Sequence, residues 1–384
     1  MTAVRIRFAA AVAAALVAAG LVLPARAATL ETIGKQAILV DLSTNTVLFE
    51  KNADERMAPS SMSKLMTLYM VFEALKEGRL SFDHTLPVSE RAWRMQGSKM
   101  FVELNNTIKV LDLIRGVIIQ SGNDACIVLA EGLAGSEQSF AEKMTKRAKE
   151  LGLKNTNLIN STGWPDPNHY MTARDLSVLA ERLIRDFPEY YHLFSEKEFT
   201  YHGIKQGNRN PLLYRNATGV DGLKTGHTEV AGYGLTASGE REGRRLVLVI
   251  NGLPSMQARA DETSRLLEWG FREFNAYALF KAGETVEEVP VWLGAQDKVP
   301  VTVPQDLKVT MARADRPNMK VTLVANQAVA APIKKGDVVG KILISAPGAP
   351  TKEMPAVAAV DVDRLGFFGR AFAAARYLVL GEGS

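Results

Sequence analysis

The 384 residues are 47% hydrophobic and 23% charged with no long low-complexity tract, which excludes a disordered chain and allows a sizeable core. The formal charge is +4, but Arg5, Arg7 and Arg26 fall in the first 27 positions, where no acidic residue occurs; the remainder has 43 Lys and Arg against 42 Asp and Glu. A mature net charge of +1 gives no case for a nucleic-acid partner, and a single cysteine excludes an internal disulfide.

In chain order, Arg5 and Arg7 precede an apolar run from Phe8 to Leu23, and Ala25-Arg26-Ala27 supplies small residues at cleavage-site positions. This is the layout of a secretory signal peptide, 1–27, cleaved after Ala27, and it predicts an exported protein. Gln36–Asp41 and Thr46–Glu50 read as strands around Ser43, Thr44 and Asn45. Pro59 and Ser60 then start a helix that places Ser61 in its first turn and runs apolar through Leu75. Helical text follows at Val110–Gln120, Asp124–Leu133, Glu137–Leu151 and Thr172–Arg185, with a loop at 160–167. Strands return at Gly232–Ser238 and Leu246–Asn251, before an amphipathic helix from Ala258 to Tyr277. Strands enclosing a helical insertion predict an α+β domain, helices on a mostly antiparallel sheet, over 28–281.

Short β-rich runs at Glu287–Leu293, Lys298–Val303, Leu307–Met311, Met319–Val324 and Val338–Ser345 predict a small all-β domain over 282–355. Within 356–384, Leu365, Phe367, Phe368, Phe372, Leu378 and Val379 fall on one helical arc, with Arg370 and Arg376 opposite. Such a helix is too short and too charged to span a bilayer but suits lying in its surface.

Ser-x-x-Lys occurs once, at Ser61 and Lys64, a spacing that puts both side chains on one helix face. A serine hydroxyl needs an adjacent base, and lysine serves only if burial or a second cation lowers its pKa. Alone, the pair reads more readily as a helix-capping serine and a solvated lysine, since the pattern is short and its residues common. Ser121-Gly122-Asn123 lies at a junction of helices, and Lys224-Thr225-Gly226 just before a strand, where Lys224 can be the second cation and the small Thr-Gly edge leaves room for a substrate. Cys126 reads as a buried structural thiol, and Trp164 and Trp269 as core. The five histidines show no metal-ligand spacing, no cofactor is expected, and a Gly-x-Ser-x-Gly elbow is missing.

These three motifs resemble those of penicillin-binding proteins and serine β-lactamases. Gly203-Ile204-Lys205-Gln206, Asn208-Arg209-Asn210, Val220-Asp221-Gly222, 266–272 and Phe367-Phe368-Gly369-Arg370 narrow the likeness to low-molecular-mass D-alanyl-D-alanine carboxypeptidases, from about Glu31 to the tail. The resemblance implies a penicillin-binding/serine β-lactamase-like fold and a periplasmic enzyme anchored by its tail. Its substrates would be peptidoglycan stem peptides ending in D-Ala-D-Ala, and β-lactams would acylate it. It implies Ser61 as nucleophile, Lys64 as base, and Ser121 as proton donor to the leaving D-alanine, helped by Lys224. Asn123 would hold the acyl side, Thr225 and Arg259 the terminal carboxylate, and Gly226 would line the substrate. The amides of Ser61 and His227 would form the oxyanion hole. His169 receives no role. A β-lactamase is the nearer alternative, but no Glu-x-x-Leu-Asn motif lies between Asn123 and Lys224; a non-enzymatic wall-binding scaffold is the further one.

Overall fold

Gln36–Asp41 reads QAILVD, and all six residues are buried, as suits a strand covered on both faces. It takes the second position in a five-stranded antiparallel sheet ordered Thr46–Lys51, Gln36–Asp41, Arg244–Leu253, Gly232–Arg241, Val220–Thr228. A computed structural model describes residues 30–215, 219–325, 328–347 and 349–372. Gln36–Asp41 thus pairs with a strand some 200 residues later, and the helical insertion lies between them in sequence, as the α+β expectation requires.

Helix Lys64–Lys76 is the centre of that insertion. Only Met70, Glu73 and Lys76 escape burial, the pattern of a core helix. It packs on Asn123–Ala134, Glu137–Glu150 and Ala173–Asp186. Two of these begin at side-chain caps: Ser136 Oγ accepts from Ser139 N at 3.1 Å and Thr172 Oγ1 from Asp175 N at 3.0 Å, each contributing about 1 kcal/mol.

The helix expected to reach Tyr277 stops at Glu273, and Phe274–Phe280 is a strand paired with Leu307–Ala312. Aromatics at 274, 277 and 280 mimic a helical period, so spacing misleads here. Arg244 marks the end: its Nη2 donates to Gly270 O and its Nη1 to Phe274 O, both at 2.7 Å, satisfying carbonyls of the last turn.

The C-terminal region forms a six-stranded sheet around Val299, Val301, Ile342, Ile344 and Ala356. The expected strands are present, Leu307–Ala312 pairing outside this sheet, and two more join it, Val329–Ala330 beside Thr285–Trp292 and Ala349–Ala358 beside Val338–Ala346. The second of these was the harder to see. Pro350 and Pro355 hid it, since proline breaks the strand pattern in sequence. This β region meets the first sheet through polar contacts. Asp41, paired with Arg244 of its own sheet at 2.7 Å, accepts Thr310 Oγ1 at 3.0 Å, while Lys352 Nζ donates to Thr46 Oγ1 at 2.8 Å.

Residues 367–372 begin a helix with Phe367, Phe368 and Phe372 at 72%, 85% and 73% exposure. The expected signal peptide and the greater part of the tail helix lie outside the described residues. Among the described residues no helix is long and apolar enough to cross a membrane.

Candidate active site

Ser61 sits in a 3-10 turn, Ser60–Ser63, that runs directly into helix Lys64–Lys76, a tighter start than the α-helical turn expected. One turn on, Lys64 is fully buried, and its Nζ lies 2.9 Å from Ser61 Oγ and 2.7 Å from Asn123 Oδ1, with Thr162 O as third partner. These three acceptors satisfy an ammonium. The same geometry serves a neutral amine, which donates to Asn123 and Thr162 and accepts the Ser61 proton.

Burial pulls the Lys64 amine down to about 8; Arg209 adds to this, and the nearby Cys126, Asp124 and Glu137 oppose it. Lys224, also buried, drops further below its ordinary range, through burial first and then repulsion from Lys64 and Arg209. The second lysine inferred from the sequence therefore lies close by, but its own lowered basicity weakens its standing as a cation. Burial, though, is the first cause for Lys64, and the repulsion between the lysines is felt on Lys224.

Lys224, Thr225 and Gly226 lie within strand Val220–Thr228, not before it, and that strand is an edge of the sheet. A Cβ on Gly226 would meet Pro59 O at 2.9 Å and Met62 Cγ at 3.1 Å. The missing side chain thus lets the strand close on the serine turn, whereas the sequence reading placed the opening toward substrate. Ser60 Oγ and Thr228 Oγ1, 3.2 Å apart, continue the seam.

Ser121 follows helix Val110–Ile119 with φ +61, an uncommon conformation for a non-glycine residue. Its Oγ is buried and has no hydrogen-bond partner. Asn123 Nδ2 is fixed by Gln96 O at 2.8 Å, which orients its Oδ1 toward Lys64. Ser61, Ser121, Thr225, His227, Arg209 and Arg259 line one cleft of about 390 Å³. His227 stacks on Tyr233 with centroids 3.9 Å apart, and Arg259 lies over the same ring at 5.7 Å. Arg259 is buried, its Nε unpartnered, and burial lowers its basicity. Among the described residues no carboxylate pairs with Arg209 or Arg259, so the cleft holds cations without counter-ions, a setting for an anion.

Several contributors escaped the sequence reading. Arg209 stands between Asn208 and Asn210, both buried and both holding backbone groups, which turns the arginine outward to Ser98 Oγ at 2.5 Å. The alternation Asn-Arg-Asn was the available signal. Thr162 acts through its carbonyl, which no side-chain pattern reveals. His169 accepts Ile159 N on Nδ1 at 3.3 Å and reaches Ser63 Oγ with Nε2 at 3.0 Å. Burial and Lys64 pull His169 down to about 4, so it is neutral and donates from Nε2. Cys126 is buried and pushed up to about 12 by burial, which makes it an unreactive thiol. Trp164 is not core: it is 45% exposed, packed so that a Cβ on Gly97 would lie 3.0 Å from its ring. Trp269 is half-buried against Phe274.

A serine beside a buried lysine, with a second serine and two arginines lining the same cleft, agrees with known proteins. The family model described as D-alanyl-D-alanine carboxypeptidase matches residues 24–255, and that of the penicillin-binding protein 5 C-terminal domain matches 274–364. The chain belongs to the D-alanyl-D-alanine carboxypeptidase family. It is 40% identical over 340 residues to D-alanyl-D-alanine carboxypeptidase DacC of Escherichia coli, covering 87% of this chain and 85% of that one. To DacA of Haemophilus influenzae it is 38% identical over 338 residues, covering 87% and 86%. The crystal structure of penicillin-binding protein 5 from Haemophilus influenzae superposes with a TM-score of 0.79 at 37% identity, covering 87% of this chain and 99% of that one. Penicillin-binding protein D2 of Listeria monocytogenes, solved in its ampicillin-bound form, gives 0.58 at 31% identity over 63% and 99%. The family's fold, a penicillin-binding catalytic domain followed by an all-β domain, is the one described above.

Proposed function

We propose that this protein is an exported serine carboxypeptidase that removes the terminal D-alanine from peptidoglycan stem peptides and is acylated by β-lactams. The observation that carries the reading is the 2.9 Å approach of the buried Lys64 amine to Ser61 Oγ. In acylation Lys64 takes the Ser61 proton as Oγ attacks the carbonyl between the two D-alanines. The amides of Ser61 and His227 receive the oxyanion. Ser121, backed by Lys224, hands its proton to the leaving amine as the C–N bond breaks and takes one back from the Lys64 ammonium. Water then attacks the ester, losing a proton to the neutral Lys64 amine, which passes it to Ser61 Oγ as the C–O bond breaks. Asn123 holds the acyl side, Gly226 keeps the strand close to the serine, and Thr225 and Arg259 take the terminal carboxylate.

The test is release of D-alanine from a D-Ala-D-Ala-ended peptide, with fluorescent penicillin bound covalently to the peptide containing Ser61. Wild-type protein that releases no D-alanine, or is labelled elsewhere, sinks the reading. The neutral amine is the active form, so acylation should rise about tenfold per pH unit below about 8 and level off above it. A profile measured with fluorescent penicillin that stays flat from pH 6 to 9 contradicts Lys64 as base. Arg259→Gln should lower kcat/KM for the peptide by roughly 10- to 100-fold, the worth of hydrogen bonds to a charged group. An amidated C-terminus should lose as much with wild type and little more with the variant; full additivity removes Arg259 from the carboxylate site.

We place the catalytic part from residue 28 to the end of helix Met256–Glu273 and the β part from Phe274. The exposed Phe367, Phe368 and Phe372 support the tail as a surface anchor on the extracytoplasmic face of the membrane.

A further inference from the structure

Glu137 opens helix Glu137–Glu150, yet its side chain is only 6% exposed. An acid in the first turn of a helix is ordinary when it faces water, where it complements the helix dipole. A buried one costs desolvation and needs partners to offset it. Glu137 has two. Its Oε1 accepts Ser161 Oγ at 2.8 Å and Ser161 N at 3.1 Å, and its Oε2 takes Arg91, whose own side chain is 64% exposed.

Ser161 is buried, and its carbonyl accepts Thr67 Oγ1 at 2.7 Å, from the helix that carries Lys64. The next carbonyl along, Thr162 O, holds the Lys64 amine. Glu137 therefore grips the chain one residue before that contact, through a backbone donor and a side-chain donor at once. Charge enters as well. Around the Lys64 amine stand Lys224, Arg209, Cys126, Asp124, His169 and Glu137. His169, pulled down to about 4, and Cys126, pushed up to about 12, are neutral in between. The anions that act on Lys64 are then Asp124 and Glu137, set against burial and Arg209. Asp124 is committed to the amides of Met100, Phe101 and Val102, so changing it would release that loop. Glu137 can lose its charge and keep its shape.

Resting on the carboxypeptidase reading, in which Lys64 is the base, we propose that Glu137 is a positioning residue for acylation. Through Ser161 it fixes the carbonyl that holds Lys64, and it brings a buried negative charge to the same pocket. It touches no reacting atom. The tether keeps the amine aimed at Ser61 Oγ. The charge opposes loss of the amine's proton, so reactivity near neutral pH is lower than burial alone would set it.

The test is the rate of Ser61 labelling by fluorescent penicillin from pH 6 to 9.5 on folded variants, with D-alanine release by wild type alongside. Glu137→Gln keeps an acceptor for both Ser161 donors and lets the exposed Arg91 swing into water. Its midpoint should fall by about half a pH unit, the scale of one partly screened charge. Labelling at pH 6.5 should then rise about threefold, with the plateau within about twofold of wild type. Glu137→Asp keeps the charge on a shorter stem, so it should hold the wild-type midpoint and lower the plateau about threefold. Glu137→Ala, which frees Ser161, should lower the plateau about tenfold. A residue that only stabilised the fold would lower the melting temperature in all three and move no midpoint. A wild-type midpoint in Glu137→Gln, an equal shift in Glu137→Asp, or a wild-type plateau in Glu137→Ala overturns the assignment and leaves the carboxypeptidase reading intact. Glu137→Gln decides alone if Glu137→Ala does not fold. Wild-type protein that releases no D-alanine and takes no label at Ser61 overturns both.

Discussion

Replacing Lys64 with methionine should slow acylation of Ser61 by about 1,000-fold or more, the upper range for loss of a positioned base. Methionine matches the length and suits the burial of this site. The cost of burying an amine disappears with it, which offsets the donors lost to Asn123 Oδ1 and Thr162 O. Near-wild-type melting with abolished reactivity is therefore expected. Lys64→Arg is the sharper companion, because it keeps a cation but cannot deprotonate at any working pH. If Lys64 only steadied charge, Lys64→Arg would retain activity; as a base, both variants should be equally slow. The measurement is the second-order rate of labelling by fluorescent penicillin, with Ser61→Ala as the zero. Retention of more than a tenth of the wild-type rate by Lys64→Met disproves the role.

The groups of the candidate site were legible because each sits on a short motif whose type and spacing suit the proposed chemistry. Ser61 and Lys64 need only one helical turn to meet, and Lys64 and Lys224 needed only the guess that three scattered motifs share a cleft. What stayed hidden depends on the chain's return to itself. The Thr162 carbonyl, the His169 contact to Ser63 and the close fit of Gly226 on Pro59 are made by atoms 98, 106 and 167 residues distant or so along the chain, and none leaves a periodic trace. The strand Phe274–Phe280 failed for a different reason: tertiary pairing overrode a local pattern that suited a helix as well. Trp164 failed because size alone suggested core, whereas a large aromatic on the surface has the same composition signature.

The loop that backs the Ser60–Ser63 turn offers the other large effect. Gly163 has φ +76, and a Cβ there would lie 2.0 Å from Ser60 O and 2.7 Å from Ser63 Oγ. Gly163→Ala should therefore cost on the order of 3 kcal/mol: roughly 1 from the left-handed backbone and the rest from displacing the loop. The displacement matters more than the stability. Thr162 O would leave Lys64 and His169 would loosen from Ser63, so a folded fraction should acylate at least tenfold more slowly. Gly152→Ala separates the two causes, because Gly152 also has a positive φ, +90, yet no atom lies within 4 Å of its Cβ position. That variant should show the backbone cost alone, about 1 kcal/mol, with unchanged acylation. Denaturant melts and penicillin labelling of both variants decide the matter. Equal destabilisation, or a Gly163→Ala protein as reactive as wild type, would mean that the loop does not hold the lysine in place.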